Sequence, residues 1–301
     1  MTGSTGATLT QPQRGHLAML AFSALVAGSF SLGSMAAPFI APMALTSVRF
    51  LLAGMIVGAV AWAAGGLRRK MLAAPWRYLV LGALMAIYFV AMFQGLKTAP
   101  PVSSSAVFTL TPAMAAGFGW FTLRQRVTPR MGLALGVGGV GALWVIFRAD
   151  LQALLNFHIG KGEFIFFWGC IAHALYAALV RKLNRGESPV AFTFGMMVAG
   201  WLLLTTLGWG DLRATDWAAL PAIVWITLLY IAIAASAATF VLLQYATLRL
   251  PAAKVMAYTY LVPSWVIGWE IALGRGAPPP AILIGVALSV TALALLLKNE
   301  H

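Results

Sequence analysis

The sequence predicts an all-α integral membrane protein of ten transmembrane helices, arranged as two inverted five-helix repeats, and three observations predict it. The first is composition: 61% of the 301 residues are hydrophobic and 9% are charged, whereas soluble domains carry about a quarter charged residues. The second is length. A helix rising 1.5 Å per residue needs roughly 20 mainly apolar residues to cross a bilayer, and ten such runs follow one another with short polar connectors. The third is self-similarity. A shift of 151 residues superposes Pro100 on Pro251, Ala106 on Ala257, Leu110 on Leu261, Pro112 on Pro263 and Gly117 on Gly268.

Residues 1–15 are small, polar and turn-prone, and they read as a disordered tail rather than a signal peptide, since no cleavage-site pattern follows the first apolar run. The first repeat, 16–148, holds spans near 17–37, 44–64, 78–96, 103–123 and 131–147. The second, 149–301, holds spans near 163–180, 190–209, 217–240, 253–273 and 281–297. Five spans per half is an odd number, so the second half enters the membrane in the opposite sense. That makes the repeat an inverted one, the layout of alternating-access carriers with a site near the midplane.

Basic residues set the orientation. With the N-terminus inside, 14 of the 20 Lys and Arg fall at inner ends, among them Arg68, Arg69, Lys70, Arg77, Arg124, Arg126, Arg181, Lys182 and Lys298. The outer ends hold Arg49, Lys97, Arg148, Lys161, Arg213 and Arg275, and the acids Asp150, Glu163, Asp211 and Asp216 also fall outside. The bias predicts cytoplasmic N- and C-termini. The net charge of +13 is spread over alternate loops. It therefore points to anionic lipid as partner and not to nucleic acid.

Catalytic and cofactor chemistry finds no footing in the pattern. The lone Cys170 gives no disulfide framework, and His16, His158, His173 and His301 are too scattered for a helix-borne metal motif. No nucleophile has a matching base, no acids are usefully paired and no phosphate-cradling glycine loop precedes a helix. The reading is thus not an enzyme, with no cofactor and no nucleotide-driven pump.

The candidate binding residues are the polar and aromatic groups within spans, where polarity is costly. Pro112 and Pro263 stand mid-span, and a proline there removes an amide donor and frees the carbonyl four residues back, those of Phe108 and Thr259. In hydrocarbon a freed carbonyl needs a partner or a water-filled cavity. Paired interruptions point to a carrier's central site, whereas a single one would serve packing alone. Glu270, about a turn from the outer end of its span, either binds substrate or a proton or reaches interfacial water. His173 shares a helix face with Tyr176 and reads either as a titrating site group or as a neutral packing residue.

Tyr258, Val262, Trp265 and Trp269 form an aromatic stripe, with Tyr258 and Trp265 expected on a cavity wall and Trp269 in the interfacial belt. Gln94 and Gln244, at similar places in the two halves, line an entrance or bond between helices. Tyr88, Ser29 and Trp168 complete the candidates. The glycine face Gly132, Gly136, Gly138, Gly139 and Gly141 lets another helix approach closely, whether span ten, its own half or a second copy.

Several stretches carry a family resemblance. Gly28, Ser29 and Phe30 look like a Trp-Gly-x-x-Phe region with Ala27 in place of the tryptophan. Pro42 followed by Arg49 and Phe50 is similar to a Pro then Arg-Phe opening of span two. Ala172, His173, Ala174, Leu175 and Tyr176, with Arg181 and Lys182 after them, look like the start of a second repeat, with His173 where tryptophan is usual. On these the chain resembles the EamA-type members of the drug/metabolite transporter superfamily. It departs at LRQRVTP (123–129) and LGRGAPP (273–279), where Gln125 and Arg275 replace expected glutamates.

The resemblance implies export of small metabolites across a bacterial inner membrane. Amino acids and related amphipathic compounds, aromatic amino acids among them, are the substrates it implies. Proton-coupled and facilitative movement are both compatible with these residues. A multidrug exporter of lipophilic cations would require Glu270 as its carboxylate, and a non-transporting scaffold would lack a midplane cavity.

Overall fold

A computed structural model describes residues 10–67, 72–156 and 159–297. Among them no strand occurs, and the chain runs as α1 (Gln11–Ala36), α2 (Pro42–Ala63), α3 (Trp76–Gly95), α4 (Pro101–Phe108), α5 (Thr111–Leu123), α6 (Pro129–Ile146) and the short α7 (Leu151–Leu155). The second half follows with α8 (Lys161–Leu183), α9 (Pro189–Leu207), the short α10 (Trp209–Ala214), α11 (Ala222–Ala232), a π-helical segment (Ile233–Ala238) and α12 (Thr239–Thr247). Then come α13 (Ala252–Ala257), a 3-10 turn (Tyr258–Leu261), α14 (Val262–Ala272) and α15 (Pro280–Leu297). Arg68, Arg69, Lys70, His158, Lys298 and His301 lie outside the described residues, as do residues 1–9 of the expected tail.

Among the described residues, nine helical segments are long and apolar enough to cross a membrane. The expected ninth span is the exception, because it runs as α13, the 3-10 turn and α14 in place of one continuous helix. Its partner in the first half is broken too, between α4 and α5.

Prolines start helices here. Pro12, Pro42, Pro101, Pro112, Pro129, Pro189 and Pro263 all occupy the first turn of a helix, where the missing amide costs nothing. Pro112 and Pro263 therefore open α5 and α14, so the two spans are interrupted at the paired prolines, as expected, and are not merely kinked. The carbonyls at each break still find donors. Thr111 Oγ1 donates to Phe108 O at 2.6 Å, and the Val262 N–H closes the 3-10 turn on Thr259 O.

Several boundaries move for local reasons. Gln11 to Gly15, expected in the tail, are helical, because Thr10 and Gln13 form a reciprocal capping box ahead of Pro12. The eighth span runs Ala222–Thr247 rather than 217–240. Pro221 delays its start, and the buried Thr239, Gln244 and Thr247 extend its end within the protein interior.

The surface is inverted relative to a soluble protein. Trp62 and Phe121 are 77% and 80% exposed, while Ser23, Ser29, Ser31, Thr46 and Arg49 are buried. Apolar side chains outward and polar ones inward is the arrangement that lipid demands. The exposed Trp62, Trp76 and Trp120 sit near helix ends, where indoles favour the headgroup region.

The helices pair in an orderly way. α6 packs on α15, α2 on α9, α3 on α8, α1 on α12 and α14, and α5 on α8 and α13. Glycines allow the closest crossings. A Cβ added at Gly141 would lie 2.6 Å from Gly285 O, and one at Gly285 would lie 2.6 Å from Gly141 O, so α6 and α15 touch backbone to backbone. Gly138 meets the Tyr260 ring, whereas Gly132, Gly136 and Gly139 have open space beside them. The glycine face is thus used in part, against span ten and the 3-10 turn.

Candidate functional site

The core of the molecule is an aromatic cluster around His173, midway along α8. Its ring stacks on Tyr88 of α3 at 4.5 Å between centroids, and it lies 5.1 Å from Phe108, the last residue of α4 before the break. One turn on, Tyr176 lies parallel to it at 6.3 Å, as the shared helix face required. Tyr176 Oη in turn accepts a 3.3 Å hydrogen bond from Gln244 Nε2 on α12. Helices of both halves therefore converge on these rings.

Beside the cluster a small cavity remains, walled by Phe22, Val26 and Ser29 of α1, Arg49 of α2, Met85, Tyr88, Phe89 and Met92 of α3, His173 of α8, and Ala235, Thr239 and Phe240 on the π segment and α12. Its volume is about 10 Å³, room for a single water. The centre is occluded.

Arg49 dominates its electrostatics. The side chain is fully buried, with its guanidinium carbon 3.5 Å from the centroid of the Phe89 ring. Nε donates to Ser236 Oγ and Nη2 donates to Ala235 O, both on the π segment and both at 2.5 Å. Residues in a π turn displace their carbonyls from the α-helical ladder, and here one of them meets the arginine. Nη1 has no acceptor. Arg49, expected as a charge at the outer end of the second span, lies instead inside the protein, seven residues after the proline that opens α2.

The remaining candidates are dispersed. Gln94 is exposed, and Trp168 is 56% exposed on the outer face of α8 beside Phe164 and Phe167. Trp265 is 43% exposed and donates to Ser23 Oγ at 3.3 Å. Tyr258 is buried but pairs with His16 Nδ1 near the start of α1, at 3.1 Å. Trp269 packs on Tyr230. None of these lines the cavity. Pro112 and Pro263 do bring the two breaks together, since Thr111 Oγ1 and Thr259 Oγ1 lie 3.2 Å apart.

Among the described residues, three ion pairs lie near helix ends. Arg77 Nη2 holds Glu187 Oε1 at 2.7 Å, joining the first turn of α3 to the α8–α9 loop, and Tyr78 Oη also donates to Glu187, at 3.2 Å. Burial would raise the Glu187 carboxyl, but the hydrogen bonds from Arg77 and from backbone amides hold it down to about 2. At the other end of α8, Ser103 Oγ donates to the buried Glu163 at 2.8 Å, with Arg148 4.0 Å away. Glu163, expected at the outer end of the sixth span, is in the first turn of α8, where the helix dipole favours a carboxylate. Glu270 pairs with Arg275 at 3.5 Å, and Arg275 also reaches Ser34 on α1. Gln125, which stands where the resemblance expected an acid, accepts from the Ala252 N–H at the start of α13.

Comparison with known proteins agrees with this architecture. The chain is 24% identical over 265 residues to the uncharacterized transporter YyaM of Bacillus subtilis (strain 168), covering 87% of this chain and 86% of that protein. A solved structure titled only as the crystal structure of a protein superposes with a TM-score of 0.72 at 20% identity, over 94% of this chain and 95% of its own; it speaks for the fold. The EamA-like transporter family matches twice, at residues 13–147 and 160–298. With nearly the whole chain matched in two consecutive copies, the protein belongs to the EamA-like transporter family.

Proposed function

We propose that the protein is a secondary carrier, not an enzyme, that exports small amphipathic metabolites, amino acids foremost, across the bacterial inner membrane by alternating access. The observation that carries this reading is the small central cavity walled by helices of both halves, next to two helix breaks that meet at Thr111 and Thr259. The pattern of helix contacts supports two inverted halves of five crossings each, counting α4–α5 and α13–α14 as one crossing apiece. Exchanging each span for its counterpart maps α3 on α8 onto α12 on α1, and α1 on α14 onto α8 on α5, while α6 with α15 and α2 with α9 map onto themselves. That is how a two-fold axis in the membrane plane relates the halves of such carriers.

In this reading the cytoplasmic side, where both termini lie, is closed by Arg77 and Glu187. The opposite side is closed by the Ser103–Glu163 contact and the Glu270–Arg275 pair. Lipophilic cations are disfavoured as cargo because no carboxylate lines the cavity, and Glu270 already holds Arg275.

The experiment is flux in proteoliposomes of a labelled panel of aromatic, branched and small amino acids plus a lipophilic cation, each with and without an imposed pH gradient. Saturable movement of amino acids is expected. His173→Phe keeps the ring stack on Tyr88 and removes the ring nitrogens; if His173 carries a coupled proton, this variant loses gradient dependence while retaining counterflow. Flux confined to the lipophilic cation contradicts the proposal.

A further inference from the structure

Among the described residues, four side chains that line the cavity each carry a polar atom with no hydrogen-bond partner: Arg49 Nη1, Ser29 Oγ, Thr239 Oγ1 and His173 Nδ1. All four side chains are at most 2% exposed. Buried polar groups are normally satisfied, and a lone orphan costs about 1–3 kcal/mol. Four on the wall of one cavity form a set that something else completes.

Charge narrows the choice. Arginine keeps its proton in proteins, and among the described residues no carboxylate lies within ion-pair distance of Arg49. The Phe89 face and the Ala235 carbonyl offset only part of the charge. A single water could satisfy two to four hydrogen bonds, but it leaves the cation uncompensated. An anion does both.

The surrounding Phe22, Tyr88, Phe89 and Phe240 offer flat apolar walls and no acid. A free cationic N–H and two hydroxyls suit a carboxylate, whose oxygens accept several donors at once.

We propose that this cavity is the seat of a carboxylate headgroup on an apolar or aromatic body, with Arg49 Nη1 as its charge partner and Ser29 and Thr239 as hydroxyl donors. The inference rests on the carrier reading above and names the substrate class of that same site. The site is occluded as it stands, so loading it requires α1, α2 and α12 to part. Because Arg49 already holds the π segment through Ala235 and Ser236, a bound anion would tie α2 to that segment, which can report occupancy to the second half.

The test uses the full purified chain in detergent, thermal protection as the readout, and three matched compounds: phenylpropionate, its neutral amide phenylpropionamide, and phenethylamine. Phenylpropionate is expected to protect at a concentration at least about tenfold lower than the amide, one charge-assisted contact being worth about 1.5–3 kcal/mol, and phenethylamine not at all. Arg49→Gln should abolish the preference for acid over amide. If that variant does not fold, Ser29→Ala and Thr239→Ala should each weaken the acid several-fold and leave the amide unchanged.

Equal protection by acid and amide, no protection by either, or protection reproduced by chloride at the same concentration overturns the carboxylate seat. The carrier reading fails separately. Acid-selective binding without flux of any solute would sink transport and keep the seat, whereas saturable flux that treats acid and amide alike would do the reverse.

Discussion

Arg77→Ala is expected to lower the stability of the detergent-solubilised protein by about 3 kcal/mol, the low end for breaking a buried ion pair. The loss arises because Glu187, only 11% exposed, keeps a charge that Arg77 and Tyr78 now compensate. Arg77 also donates to Leu183 O at 2.7 Å, so the variant uncaps the end of α8 as well. Glu187→Gln keeps size and hydrogen bonding but removes the charge, and should cost less.

The same pair predicts a pH dependence whose sign follows from Glu187. Its carboxyl is held down to about 2 in the folded protein, below the ordinary glutamate value of about 4.3. The stabilisation is complete above the unfolded value and fades as pH falls from about 4.3 toward about 2. Glu187→Gln should flatten that portion of the stability profile and leave the neutral region unaffected. If the pair closes the cytoplasmic side, Arg77→Ala should also expose His173 and Cys170 in the core to cytoplasmic-side reagents. Unchanged labelling of Cys170 by a membrane-impermeant thiol reagent would separate a purely structural pair from a gate.

Gly82→Val is the second large effect. A Cβ at Gly82 would sit 2.7 Å from Gly200 N and 2.8 Å from Met196 O, which are backbone atoms of α9 that cannot rotate aside. Overpacking ordinarily costs about 1–3 kcal/mol, and a clash with a backbone belongs at the top of that range. Gly200 is equally confined, by the Phe50 ring on α2. The substitution would therefore wedge α3 from α9 and disturb the helix that carries Tyr88 and Phe89. Thermal unfolding measures the cost. At Gly136, with nothing within 4 Å, the same change to valine should cost nothing, since valine has the better helix propensity. Equal losses at the two glycines would refute the close-approach argument.

What could be read along the chain was whatever depends on near neighbours: apolar runs long enough to span, paired prolines, and the His173–Tyr176 face. What could not be read was which face looks inward. In a soluble helix polarity marks the outside, but lipid and protein interior are both apolar. So the stripe bearing Tyr258 and Trp265 said nothing about whether the cavity lay on its side, and Gln94 and Trp168 gave no sign of facing outward.

Arg49 was missed for a related reason. A charge tally counts a basic residue near the start of an apolar run as a charge at the outer end, whereas its burial depends on Ala235 and Ser236, which are 186 and 187 residues away. A signal was present, in that Arg49 follows Pro42 by seven residues. If the proline opens the helix, the arginine is already two turns into it. The same logic applied to Pro112 and Pro263 would have placed them at the start of a new helix, and the capping box at Thr10 would have moved the first helix forward.

The measurement that bears most directly on the carrier is counterflow in proteoliposomes loaded with an unlabelled aromatic amino acid, with the labelled form outside. The account predicts transient accumulation of label above equilibrium in the wild type, saturable with concentration and absent in Arg49→Gln. Label that merely equilibrates at the rate of protein-free vesicles, for every member of the panel, would contradict a central site that alternates between the two sides of the membrane.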